Sequence, residues 1–340
     1  MELGIDSFVW AMEGPDADRR RNPVEAMSEM LARIERADEA GLDVFGIGEH
    51  HLAEFLDSAP ALILAAAAAR TRRIRLTSAV AVLSAVDPVR LFQQFATLDV
   101  LSNGRAEMVV GRGSSIEAFP LFGFDLQDYD ALFAEKLDLL LRLREQETIT
   151  WAGKFRPALT GQGVYPRPVQ AQLPVWLGVG GTPASFVRAG TLGLPLMVAI
   201  IGGETRRFRP LVDLYREAGR RAGFRPEQLR VGLHAFGYVG ATTPEAVEEF
   251  YPGYAATMTR MGKMRGWGPI NRAGFDAVAR PHGAMLIGGP AHVAAKIKAH
   301  SAALGGVDRV VFQMDSGGLP NDQILHSIDL MGKELVPLLR

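Results

Sequence analysis

The stretch PVWLGVGGTPAS, Pro174 to Ser185, decides the reading of the fold. Val175–Val179 is a short apolar run bounded by a proline before it and by Gly180-Gly181 after it, the length and punctuation of a buried strand. Thr182-Pro183 then puts a proline at the first position of a helix, where its missing N–H costs nothing and its fixed φ is already helical. Strand, glycine turn and helix follow at once, so this segment is one β-to-α step.

The step recurs. Leu3–Asp6, Val44–Ile47, Ile74–Val82, Ala106–Val110, Leu196–Ala199, Leu229–Tyr238 and Arg309–Met314 are seven further strand candidates, and Asn22-Pro23, Ala59-Pro60, Asp87-Pro88 and Thr243-Pro244 repeat the proline start. Pro23–Ala40 places Met27, Met30, Leu31, Ile34 and Ala37 on one helical face and Glu25, Glu29, Arg33, Arg36 and Glu39 on the other, with Gly41 as its C-cap signal. Strict alternation implies a parallel sheet, and eight units suit an α/β class (β/α)8 TIM barrel, usually about 250 residues before insertions. The excess in this chain of 340 residues is expected after the fourth and seventh strands. Gln146–Gln172 is one such segment, with a small hairpin at Thr148–Trp151 and Val164, and Lys263–Gly283, rich in Gly, Arg and Pro, is the other. No linker or low-complexity tract interrupts 1–340, which reads as a single domain; a doubly wound two-domain fold is the alternative.

Composition narrows the function. The 37 Lys and Arg balance 38 Asp and Glu with no basic block, so nucleic acid is not an expected partner and a neutral or small anionic ligand is. The absence of cysteine excludes disulfides, thiolate metal sites and thiol catalysis. The opening MELGIDSFVW lacks the regions of a signal peptide, and runs such as Ala59–Ala69 fall short of the ~20 residues a membrane span needs. Neither a membrane nor an oxidising compartment is expected, which leaves the cytoplasm.

Active-site groups of such a barrel lie at the C-terminal strand ends. After the second strand, FGIGEHH brings Glu49, His50 and His51 to that face, although alone they read as a loop that caps the Pro60 helix or meets water. Adjacent side chains on extended chain point to opposite faces, so this pair makes a poor metal site, and no metal is expected. After the third strand, Ser78 and Ala79 are small enough for a planar ligand to approach the backbone, and Asp87 is a helix cap. After the fourth, Arg112 stands between Gly111 and Gly113, suited to a phosphate or to a salt bridge closing the barrel. After the fifth, the Gly180–Thr182 turn opens a helix whose N–H groups and dipole favour an anion, without the spacing of a dinucleotide or P-loop motif. Neighbouring strands would let Arg112 and this turn grip one phosphate.

Together EHH, SAVAVL with DPVR, SNGRAEMVVGRG and PVWLGVGGTPASFVRAGTLGLPL resemble the bacterial luciferase-like family of flavin-dependent monooxygenases, from about Met1 to Ile201 and again at MLIGGPAHVAAKI and the last strand. The resemblance implies a (β/α)8 barrel, often a homodimer, that takes reduced FMN as cosubstrate from a separate flavin reductase. With O2 it would put one oxygen atom into a small organic substrate through a flavin C4a-hydroperoxide. It implies that His50 is catalytic; Glu49 or His51 is expected to tune it, with His51 on the opposite side of the extended chain. It further implies that Ala79 and Val80 lie under the flavin ring across a non-prolyl cis bond. Arg112, Gly113, Gly180, Gly181 and Thr182 would bind the cofactor, and Ile200 would line the ring. Gly111 replaces a cysteine of the luminous enzyme and Gly180-Gly181 a Glu-Ser pair, so light emission is not implied. Deazaflavin-dependent hydride transfer, a non-catalytic flavin-binding barrel and a metal hydrolase built on Glu49, His50 and His51 are the rivals.

Overall fold

The computed structural model describes residues 1–12, 20–113, 116–264, 266 and 268–340. Eight strands form its centre: Glu2–Ser7, Val44–Ile47, Arg75–Ser78, Met108–Gly111, Val175–Val179, Leu196–Ala199, Val231–Val239 and Arg309–Gln313. Every pairing among them is parallel, and the last strand pairs with both the first and the seventh. A bridge between Leu76 and Ala106 joins the third strand to the fourth, with the Leu76 N–H donating to Arg105 O at 3.0 Å, and completes the ring. The doubly wound alternative is thereby excluded.

Helices start where proline forecast them, at Pro23, Pro60, Pro88 and Pro183, and one begins at Thr243, a residue before Pro244. Asp87 caps its helix by accepting from the N–H groups of Val89 and Arg90, and Gly41 takes a φ of 78° after the helix Pro23–Glu39. That helix departs from its expected faces at Arg33, which is buried rather than outward. Its Nη1 donates to Asp315 Oδ1 at 3.2 Å and its Nε to Asn321 Oδ1 at 2.7 Å, two partners from beyond the last strand that local spacing does not reveal. The third strand is also shorter than expected: it stops at Ser78, and Ala81–Val82 resumes against the fourth strand after a turn of direction at Ala79-Val80.

Between the helix Tyr129–Glu145 and the fifth strand, Thr148–Trp151 and Leu159–Gly163 form an antiparallel hairpin. Between the seventh and eighth strands lie helices Thr243–Met264, Arg272–Ala279 and Pro290–Leu304 and a short strand, Leu286–Gly288, paired with the upper end of the seventh. Of the segment Lys263–Gly283, Arg265 and Trp267 lie outside the described residues.

The barrel interior is layered. Val44, Val109, Trp176, Met197 and Val311 pack together inside the ring, separate from the main core between strands and helices. At the N-terminal end Arg309 closes the bore: it engages Glu107 through both terminal nitrogens and Glu2 through Nε at 2.6 Å, and lies 4.2 Å from the centre of the Trp176 ring. A salt bridge does close this barrel, and it belongs to Arg309 rather than Arg112. Above the apolar layer Gly111 and Gly178 contribute no side chain, and the bore stays open toward the C-terminal face.

Candidate active site

That opening is a cavity of about 610 Å³ whose walls run from Arg309 and Val311 in the bore up to the strand ends. It gathers His50, Ala79, Val80, Arg112, Gly113, Gly180 and Gly181. Thr182 does not line it but is tied to it, since its Oγ1 accepts from Arg112 Nη2 at 3.2 Å. Arg112 thus spans the fourth and fifth strand ends as their adjacency requires. Its Nη1 also meets Asp130 Oδ1 at 2.5 Å, and its guanidinium lies 5.1 Å from the centre of the Tyr129 ring. Asp130 is 73% exposed, so this pair is solvent-screened and an anion in the cavity can replace it. Burial pushes the Tyr129 phenol up despite Arg112, keeping it a neutral donor to Gly113 O at 2.8 Å.

The glycines form a cradle. A Cβ added at Gly180 or Gly181 would meet no atom within 4 Å, so the turn before the helix Pro183–Thr191 presents bare backbone to open space. At Gly111 and Gly178 the reason is the opposite: a Cβ there would fall 2.8 Å from Val80 Cγ2 and Cγ1 respectively. These two glycines let Val80 settle between the fourth and fifth strands. The Ala79-Val80 bond is cis, as the resemblance implied.

His50 and His51 both line the cavity, against the expectation that they face opposite ways. The strand ends at Ile47, and side-chain alternation does not survive beyond it. Their partners also differ from expectation. His50 Nδ1 meets Asp57 Oδ2 at 3.1 Å, and the ring stacks on Phe55 with centroids 4.1 Å apart and meets Phe8 at 4.4 Å. His51 Nε2 meets Glu49 Oε1 at 3.1 Å, while Glu49 Oε2 accepts the Val82 N–H at 2.9 Å. Asp57, not Glu49 or His51, is the group on His50. The Pro60 helix takes no side-chain cap, so the three groups do not serve as one. Ile200 is a further correction: it is buried in the main core, and Ala199 and Ile201, on the other side of the alternation, line the cavity.

Asp6, Asp57, Phe8 and His234 escaped the sequence reading. Asp6 and His234 sit inside strand candidates, and an ionisable residue among apolar neighbours is the signal that it points into the bore. Asp57, in a loop, carries no such signal. His234 Nδ1 meets Asp6 Oδ2 at 2.5 Å. Burial presses the His234 imidazolium down, and the charge and hydrogen bond of Asp6 more than offset it, so His234 titrates above the ordinary histidine value.

An arginine beside a bare glycine turn, a small-residue ledge and an imidazole held by a carboxylate, all on the C-terminal face of a parallel barrel, make this cavity the candidate active site of an α/β-barrel protein. The chain belongs to the luciferase-like monooxygenase family, whose profile matches residues 5–309. Among solved structures it is similar to the monooxygenase RslO1 from Streptomyces bottropensis, with a TM-score of 0.84 and 26% identity over 99% of both chains. The oxygenating constituent of 3,6-diketocamphane monooxygenase from Pseudomonas putida, in complex with FMN, shares the fold with a TM-score of 0.79, 20% identity and coverage of 99% and 98%. Among curated sequences, 4-hydroxyprotoasukamycin monooxygenase of Streptomyces nodosus subsp. asukaensis is 38% identical over 114 residues, 33% of this chain and 31% of that protein. An F420-dependent glucose-6-phosphate dehydrogenase of Amycolatopsis mediterranei is 30% identical over 166 residues, 46% and 49% of the two. The chain matches between about a third and a half of the length of its curated relatives. No helix among the described residues is long and apolar enough to cross a membrane.

Proposed function

We propose that the protein is a flavin-dependent monooxygenase that uses reduced FMN and O2 to put one oxygen atom on a small organic substrate. The observation that carries this reading is the Arg112–Thr182 contact beside the bare Gly180-Gly181 turn, on the rim of an apolar cavity with His50 on its wall. Those residues fit FMN. Arg112 and the turn would hold the phosphate, Ala79 and Val80 would support the ring, and the volume lies within the ~300–1,000 Å³ of cofactor sites.

When bound, the reduced flavin supplies the activation of oxygen. The chain supplies what surrounds it. Phe8 and Phe55 cover His50 with apolar surface and restrict water. Asp57 fixes Nδ1 of His50, which leaves Nε2 to give or take a proton at the cavity. In this reading the protein works as a homodimer and receives its flavin from a separate reductase, as the family resemblance implies, and it does so in the cytoplasm, as the sequence leads one to expect.

Hydride transfer with a deazaflavin is the second reading, favoured by the similarity to the F420-dependent dehydrogenase. Anaerobic titration with reduced FMN and with reduced deazaflavin, followed by admission of O2 with aldehyde and ketone panels, separates the two. Reduced FMN binding with substrate-dependent oxygen uptake is expected, and reduced deazaflavin binding with oxygen-independent reduction of an aldehyde or ketone to the alcohol would replace the first reading by the second. His50→Ala is expected to keep FMN affinity and lose turnover by about a hundredfold or more; full turnover in that variant would remove His50 from the chemistry.

A further inference from the structure

The cavity holds a second imidazole–carboxylate pair that the reading above does not use. His234 lines the bore from the seventh strand and Asp6 from the first, with the eighth strand between them. The strand register sets His234 opposite Ala199 on one side and Val311 on the other, one inward position above Arg309. Its side chain is 14% exposed, and that exposure is to the cavity it lines. Asp6 occupies Nδ1, so Nε2 is the ring nitrogen left for whatever enters the bore.

The register neighbours of His234, Ala199 and Val311, bring no charge, nor do Met197, Val109, Gly178 and Thr77 of the same cavity, whose other ionisable groups include Glu49, His50, His51, Arg112 and Glu117. Arg309 below is committed to Glu107 and Glu2, and Asp315, which feels the Asp6 charge, is committed to Arg33. Asp6 Oδ1 and Gln313 Nε2, paired in register on neighbouring strands, are buried polar atoms without a partner among the described residues. Of the two, Asp6 lines the cavity, so its unpartnered oxygen lies beside the space a ligand would enter.

We propose that His234, oriented by Asp6 through Nδ1 and carrying a proton on each ring nitrogen, donates its Nε2–H to an anionic or carbonyl oxygen of the ligand that enters the barrel bore. This rests on the monooxygenase reading and adds to it a positioning residue opposite the Arg112 rim. The oxygen belongs either to the reduced flavin ring or to the organic partner, and the same donor serves both.

The test compares full-length wild type, His234→Gln and Asp6→Asn, each with the wild-type circular dichroism spectrum, by anaerobic titration with reduced and with oxidised FMN and by 15N-histidine NMR. If the oxygen is the cofactor's, His234→Gln weakens reduced FMN at least tenfold and oxidised FMN less than twofold, because the reduced ring is the anionic form. If it is the organic partner's, both FMN affinities hold and cyclohexanone, used as a ketone probe, shifts the His234 Nε2 resonance of FMN-loaded wild type. In both cases Asp6→Asn removes the doubly protonated His234 ring from the 15N spectrum of the cofactor-free protein at neutral pH. An unchanged protonation pattern, or flavin affinities and a His234 resonance indifferent to variant and probe, overturns the proposal. Should His234→Gln not fold, Asp6→Asn carries the same two readouts. A wild type that binds no FMN refutes the proposed function instead, and the His234 protonation pattern in Asp6→Asn then decides the pair without any cofactor.

Discussion

Adding one methyl group at Gly111 or Gly178 should damage this site more than any exposed charge change. Each new Cβ would sit 2.8 Å from a Val80 methyl, about 0.6 Å inside the 3.4 Å at which ordinary contact begins. Val80 cannot escape by rotating: Gly111 faces its Cγ2 and Gly178 its Cγ1, so a turn that relieves one side loads the other. The backbone at Ala79-Val80 must shift instead, and overpacking of this kind costs about 1–3 kcal/mol. The ledge under the proposed flavin ring would move with it. The experiment is a double-mutant cycle: Gly111→Ala, Gly178→Ala, Val80→Ala and the two pairs with Val80→Ala, measured by urea unfolding and by FMN fluorescence quenching. Each glycine variant should lose about 1–3 kcal/mol of stability and at least tenfold in FMN affinity, and Val80→Ala should return most of both. Unchanged affinity in Gly111→Ala, or losses that Val80→Ala fails to relieve, would refute the argument that these glycines exist to seat Val80.

Arg112→Ala should weaken FMN by about ten- to 150-fold, the value of a charge-assisted phosphate contact, and leave riboflavin, which has no phosphate, within twofold by the same titration. Equal losses for the two ligands would place the phosphate elsewhere. Arg309→Met should cost about 3–5 kcal/mol in urea unfolding, because Glu107 stays buried without its main partner, and Glu107→Leu in the same chain should restore part of it. His234 binds its proton more tightly folded than unfolded. Its pair with Asp6 therefore adds stability that is complete below the ordinary histidine value of 6.5 and is lost as pH rises through the raised folded value. The thermal midpoint of wild type minus that of His234→Gln should accordingly fall between pH 6 and 9, and a difference that does not change over that range would contradict the raised value.

Much of the site was legible because glycine, proline and arginine carry their own geometry. Arg112 and Gly180–Thr182 each indicated an anion from local chemistry, and a barrel needs only adjacent strands to bring them together. Arg33 was misplaced because a helix wheel separates charge from core, whereas Asp315 and Asn321, nearly three hundred residues away, give its charge buried partners. The histidine pair was split wrongly because the strand ended before it.

The sequence by itself determined the alternation of strands and helices, the proline and glycine boundaries of those elements, and hence the barrel and the face on which its site lies, because these follow from periodicity and backbone restriction within a few residues. Only the tertiary structure decided which carboxylate holds which histidine. Asp57 reaches His50 through a loop, and Asp6 reaches His234 across 228 positions of chain. Such pairings are set by ring closure and inward register, which no local pattern encodes. The same closure makes Val80 neighbour to two glycines on different strands, and so turns three ordinary small residues into the ledge of a cavity.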